Sequence, residues 1–196
     1  MERLEIFIDR YNIYKYTRDK GLRLDYIKMV NKLAEGRPIT ERFVFDARVQ
    51  DGFDPSRRTH DWMERNGFSV ITEPYDPNKQ EQKGVDGRMM LNMYKRAARD
   101  MYDVALMITG DGDFVPVCED VQALGKKVEV AAFGETLSSR LRRKADKYHD
   151  LMSIASPMHT AHDKDLDAIT ESKFMTPLQD QQAFRARASY SLFESP

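Results

Sequence analysis

Apolar residues along the chain fall into short continuous runs, separated by longer stretches in which they recur every three or four positions. A continuous run of four to eight reads as a strand buried on both faces, and the wider spacing as a helix with one face inward. The pattern predicts strands over residues 4–8, 42–46, 68–72, 104–109 and 127–133, and helices over 25–35, 54–66, 87–100, 115–124 and 137–152. The last helix rests on the spacing of Leu137, Leu141, Ala145, Tyr148 and Leu151. Punctuation agrees with these elements. Gly36-Arg37-Pro38 stops the first helix, Asp54-Pro55-Ser56 opens the second, Gly67 closes it, and Pro116 stands in the first turn of the fourth, where its missing amide hydrogen has no partner to lose. Strand and helix alternate, so the expected class is α/β with a parallel sheet and right-handed crossovers.

The rhythm stops near residue 153. Residues 1–152 are read as one domain and 153–196 as a polar tail, with a weak helical patch over 166–174. Within the tail, Gln179-Asp180-Gln181-Gln182-Ala183-Phe184, followed by Arg185 and Arg187, has the makings of a short helix that recruits a protein partner. A hydrophobic share of 41% supports a real core, while a formal net charge of −1 leaves nucleic-acid binding to local patches. The single cysteine, Cys118, excludes an internal disulfide and a cysteine-rich zinc site. Met1-Glu2-Arg3 leads directly into a strand with no secretory leader, and no apolar run approaches a membrane span. A cytoplasmic protein without a membrane partner is expected.

Acidic residues stand where the strands run out. Asp9 follows Ile6-Phe7-Ile8, Asp111 and Asp113 follow the run 104–109, and Asp86 opens a helix within Lys83-Gly84-Val85-Asp86. In an open parallel sheet the carboxyl ends of the strands form the ligand crevice. Four carboxylates gathered there repel one another unless a cation lies between them, and an oxygen-only donor set suits Mg²⁺ or Mn²⁺. The plainer reading makes each aspartate a cap or turn residue, with Asp113 capping the helix that begins near Val115. Other chemistries fit worse. Gly110-Asp111-Gly112 lacks the third glycine of a dinucleotide turn, having Val115 there, and its acid would repel a pyrophosphate. No Walker motif is present, and Asp111-Gly112-Asp113 is too short for a calcium loop. An Asp-x-Asp phosphatase motif fails because Tyr11 stands two residues after Asp9. His60, His149, His159 and His162 lack zinc spacing and are expected at the surface.

Three segments carry a family resemblance. Phe7-Ile8-Asp9-x-x-Asn12-Ile13-Tyr14, Lys83-Gly84-Val85-Asp86 and Thr109-Gly110-Asp111-Gly112-Asp113-Phe114-Val115-Pro116 resemble, in order, the signatures of the NYN domain family (the LabA-like, DUF88 group). The likeness runs on through Gly125-Lys126-Lys127-Val128 and Leu141-x-x-x-Ala145-Asp146, and covers about residues 1–152. It implies a PIN-like three-layer α/β/α fold with a five-stranded parallel sheet in the order 3-2-1-4-5, and a metal-dependent ribonuclease. Asp9, Asp86, Asp111 and Asp113 match the family's acidic, metal-binding and catalytic positions, and Asn12 its polar partner. Two positions depart. Arg10 stands where the family has glycine, and Asn92, six residues after Asp86, stands where it has a further aspartate. An amide is a weaker ligand than a carboxylate and takes no proton from water.

The resemblance makes single-stranded RNA the expected substrate. Basic residues must then draw a polyanion toward an acidic site. Arg10, Lys83, Arg88, Arg57-Arg58 and the Arg140-x-Arg142-Arg143-Lys144 run are candidates, though a charge run is by default a solvated helix face. Tyr11 is placed to stack on a base, Tyr14 on a base or in the core, and Ser138 or Ser139 to reach a phosphate. Two further readings stay open: an RNA-binding or regulatory protein on a site weakened at Asn92, and an adaptor working through its tail. A homodimer is compatible with either.

Overall fold

The computed structural model describes residues 1–49, 54, 56–76, 81–82 and 84–158. Lys83, His159, His162 and the tail segments singled out above lie outside the described residues. Strand β1 (Leu4–Asp9) leads into α1 (Arg10–Lys20), the short β2 (Leu22–Arg23) and α2 (Tyr26–Ala34). Next come β3 (Ile39–Val49), α3 (Arg57–Arg65), β4 (Ser69–Asp76), β5 (Glu81–Gln82) and α4 (Val85–Ala98). The chain continues through β6 (Val104–Ile108), a 3-10 turn (Gly112–Phe114), α5 (Val115–Ala123), β7 (Lys127–Ala132), α6 (Ser139–Lys144), β8 (Lys147–Asp150) and β9 (Ser156–Pro157).

The main sheet runs β5-β4-β3-β1-β6-β7-β8. Its five inner strands, β4-β3-β1-β6-β7, pair in parallel and are the expected ones in the expected order. Two edge strands extend it: β5 lies antiparallel to β4, and β8 parallel to β7. Alternation along β1 builds the layers. Phe7 joins one apolar cluster with Phe45, Met89, Met93, Met107 and Phe114, on the face covered by α4, α5 and α6. Ile6 and Ile8 point the other way, to Ile13, Met29, Val44, Met63 and Leu106 beneath α1, α2 and α3. All of these side chains are buried, and the result is a helix–sheet–helix sandwich.

Three expectations are corrected. The helix predicted over 137–152 is confined to α6, because the Asp146 carboxylate accepts hydrogen bonds from Val128 N (2.8 Å) and Gln122 Nε2 (2.9 Å). Those bonds pull the chain alongside β7, and Lys147 to Asp150 become a strand instead. Residues 9–24, to which the apolar pattern assigned no element, carry helix α1. Finally, His60 and His149 are not surface residues. His60 is buried with its Nε2 at 2.7 Å from Asp46 Oδ2, and the largely buried His149 lies 2.8 Å from Glu129 Oε2, a carboxylate that Arg37 also holds through two bonds.

Because β1 and β6 are neighbours with Ile8 opposite Ile108, Asp9 and Thr109 leave the sheet side by side at its carboxyl edge.

Candidate functional site

Asp9 ends β1 and caps α1. Its Oδ1 accepts the Asn12 backbone N–H at 3.1 Å, an ordinary helix cap. Its Oδ2 accepts a bond from the hydroxyl of Thr109 at 3.0 Å. The Thr109 oxygen in turn accepts the Asp111 N–H at 3.2 Å, and Asn12 Oδ1 accepts the Gly110 N–H at 3.2 Å. The two strand ends are thus laced together through Thr109 and Asn12. Asp111 caps the turn that follows, its Oδ1 accepting the Asp113 N–H at 2.9 Å. The capping role and the site role are therefore compatible: the bonds that cap α1 and the turn also fix where these carboxylates stand.

Glycine is required at this edge for space. A β-carbon on Gly110 would lie 2.4 Å from the Thr136 carbonyl oxygen, and one on Gly112 would lie 2.6 Å from Ser138 Oγ. The loop after β7 rests directly on the turn, and Ser138 N donates to Gly110 O at 2.8 Å. Asp86 enters from the first turn of α4, where the positive end of the helix favours a carboxylate.

The acids feel one another. Burial pushes the Asp9 carboxyl up to about 6; the bonds from Asn12 and Thr109 oppose the rise, and the charges of Asp86 and Asp111 add to it. Asp86 is also raised, by partial burial and then by Asp111 and Asp113. One negative field therefore joins all four aspartates. Chemically this oxygen donor set suits a hard divalent cation. As the side chains stand, no three Asp, Glu, His or Cys groups among the described residues are gathered tightly enough to hold an ion. Closing round a cation requires side-chain rotation, which Asp9, tethered at both oxygens, resists, whereas Asp86 and Asp113 are exposed.

The remaining candidates scatter. Tyr11 is 38% exposed beside Asn12, Ser139 is exposed at the start of α6, and Ser138 rests on Gly112. Arg88 is exposed on α4 with its Nε 3.5 Å from Glu73. Arg10 turns inward: it is 6% exposed and its Nη1 donates to Asp46 Oδ2 at 2.8 Å, so its charge faces the protein rather than the crevice. Asn92 sits on α4 between the buried Met89 and Met93, and its Oδ1 is shielded from solvent with no hydrogen-bond partner among the described residues. Reasoning from sequence placed Thr109 at the head of the third signature and gave it no role in the site, its signal being a polar residue at the end of an apolar run. It also missed the buried Arg10–Asp46–His60 cluster, whose members lie 36 and 14 residues apart.

A parallel α/β sandwich with an aspartate cluster at the carboxyl edge of its central strands defines the class, a nuclease-type fold. The NYN domain model matches residues 3–154, and the chain belongs to that family. It is 27% identical over 165 residues to the low amplitude and bright protein LabA of Synechococcus elongatus, covering 79% of this chain and 86% of that protein. The crystal structure of a protein of unknown function from Vibrio parahaemolyticus shares the fold, with a TM-score of 0.64 at 23% identity over 76% of this chain and 93% of the other. No helix among the described residues is long and apolar enough to cross a membrane.

Proposed function

We propose that the chain is a metal-dependent ribonuclease that hydrolyses phosphodiester bonds of single-stranded RNA. What carries the reading is the acid cluster itself: a carboxyl raised to about 6 beside three more aspartates is costly to the fold unless a cation uses it. Asp9, Asp86, Asp111 and Asp113 would hold Mg²⁺ or Mn²⁺, which supplies an activated water and neutralises charge on the phosphate oxygens. Asp9 is oriented by Asn12 N and Thr109 Oγ1, and each of its oxygens keeps a lone pair for a ligand. Asp111 is held by the Asp113 N–H. Asp86 and Asp113, both exposed, would turn inward to complete the set. Asn12 fixes the Gly110 backbone, and Tyr11 offers an exposed ring for a base.

Asn92 favours a second reading, an RNA-binding or regulatory protein on a weakened site. Its amide oxygen is shielded and has no partner among the described residues, and it cannot accept a proton from water as an aspartate would. Cleavage of labelled RNA by the chain and by Asn92→Asp separates the two readings. A cytoplasmic setting, a homodimer and a protein partner held through the tail all accord with either.

A further inference from the structure

Many cations among the described residues are taken up by the protein's own carboxylates. Arg3, Arg10, Arg18, Lys20, Arg37, Arg96, Lys127, Lys144 and Lys147 each lie within ion-pair distance of an Asp or Glu. Helix α6 carries four cations, of which only Lys144 is taken up in this way. Arg140, Arg142 and Arg143 are all exposed, and none of the three has an ion-pair partner among the described residues. Arg142 lies over the Tyr148 ring at 5.0 Å, and Lys144 takes up Glu119 at 3.2 Å. Arg140 and Arg143, three residues apart, share one side of the helix, about 4.5 Å apart along its axis.

The place of α6 matters as much as its charge. Leu141 anchors it in the core, and α6 packs on the Gly112–Phe114 turn that carries Asp113. Ser138 N bonds Gly110 O at 2.8 Å, and the Ser138 side chain touches Gly112. Three exposed arginines without an ion-pair partner among the described residues therefore stand on a helix that packs on the turn of the acidic crevice and whose start is pinned to it. Unpaired cations next to an acid cluster lower the field that a polyanion meets there, and guanidinium groups suit phosphate.

We infer that the exposed face of α6, through Arg140 and Arg143 with Arg142 beside them, is the platform that grips the sugar–phosphate backbone of a single-stranded nucleic acid next to the Asp111–Asp113 turn. The inference rests on the nuclease reading above and adds to it a direction: the strand runs from the crevice over α6. The contact is to phosphate, so it confers affinity and salt dependence without sequence preference.

The test is binding of a labelled single-stranded RNA in EDTA, where cleavage is suppressed, at 50 and 200 mM salt. The parent chain is compared with Arg140→Gln/Arg143→Gln and with a charge-matched control, Arg65→Gln/Arg99→Gln, whose sites end α3 and α4 at the opposite edge of the sheet. Two lost phosphate contacts on a single strand flatten the salt dependence by about 1.4 in log–log slope, so the parent's advantage over the α6 variant shrinks about sevenfold between the two salts. The expected result is that weaker, less salt-sensitive binding for the α6 variant only. Equal binding by all three proteins overturns the platform and leaves the nuclease reading in place, as does an equal loss in both variants. No RNA binding by the parent in EDTA overturns the platform, and the nuclease reading then stands or falls on cleavage with Mn²⁺ or Mg²⁺. Binding of an acidic protein at α6 with RNA ignored assigns the face to a different partner and refutes this one.

Discussion

Thr109 donates its hydroxyl hydrogen to Asp9 Oδ2 across the β1–β6 boundary at 3.0 Å, and its own Oγ1 receives the Asp111 N–H at 3.2 Å. One fully buried threonine thereby sets the separation of two aspartates 102 residues apart. Thr109→Val keeps the shape and removes both bonds. A hydrogen bond to the ionised form holds a carboxyl pKa down, so the Asp9 pKa, already about 6, rises further in the variant. Stability falls by about 1–3 kcal/mol because the Asp111 amide and the carboxylate lose a partner. Titration of the Asp9 carboxyl by NMR checks the direction; an unchanged or lower value contradicts it.

Asp9 makes the fold sensitive to pH. Its carboxyl holds its proton more tightly in the native state, near 6, than in the unfolded chain, near 3.8. Its contribution is therefore fully present below the unfolded value and is lost as pH rises through about 6. The deficit at neutral pH is roughly 2–3 kcal/mol, from a shift of about two units at 1.36 kcal/mol each. Asp9→Asn is expected to melt higher than the parent at pH 7.5 and at nearly the same temperature at pH 4. A variant that is less stable at pH 7.5 speaks against a strained carboxylate.

Divalent cations should reverse that deficit. Adding Mn²⁺ or Mg²⁺ at pH 7.5 raises the melting temperature of the parent, since a ligand that binds only the native state stabilises it. The rise is smaller in Asp9→Asn and in Asp111→Asn. An equal rise in all three proteins places the ion elsewhere.

The buried Arg10–Asp46–His60 cluster lies one residue beyond Asp9. Burial pushes the Asp46 pKa up, but Arg10 beside it and the bond from His60 hold it below the usual carboxylate value. Asp46→Ala leaves a buried guanidinium without its carboxylate and is expected to cost about 3–5 kcal/mol, read by chemical denaturation. A loss under 1 kcal/mol would show that Arg10 finds another anchor.

Much of this was legible from residues because the strands are apolar on both faces and the acids end them. The order of the five parallel strands and the placing of Asp9 beside the 109–113 turn both follow from the signatures. What the sequence hid depends on partners distant along the chain. Tyr148 and Leu151 continue a helical spacing from Leu137, yet Asp146 bonds a β7 amide and turns that segment into a strand. Arg10 reads as a cation at the crevice, but an aspartate on the neighbouring strand draws it inside. His60 has no neighbour in sequence that announces Asp46. The unpaired state of the α6 arginines is likewise invisible until every carboxylate has been placed.

The central claim is tested most directly by incubating the chain with labelled single-stranded RNA in Mn²⁺ or Mg²⁺, with EDTA as one arm and Asp111→Asn and Asn92→Asp as others. The account predicts cleavage by the chain itself, abolished by EDTA and by Asp111→Asn, and faster in Asn92→Asp. RNA left intact by both the chain and Asn92→Asp, though bound by each, would contradict it and make this a binding protein on a nuclease fold.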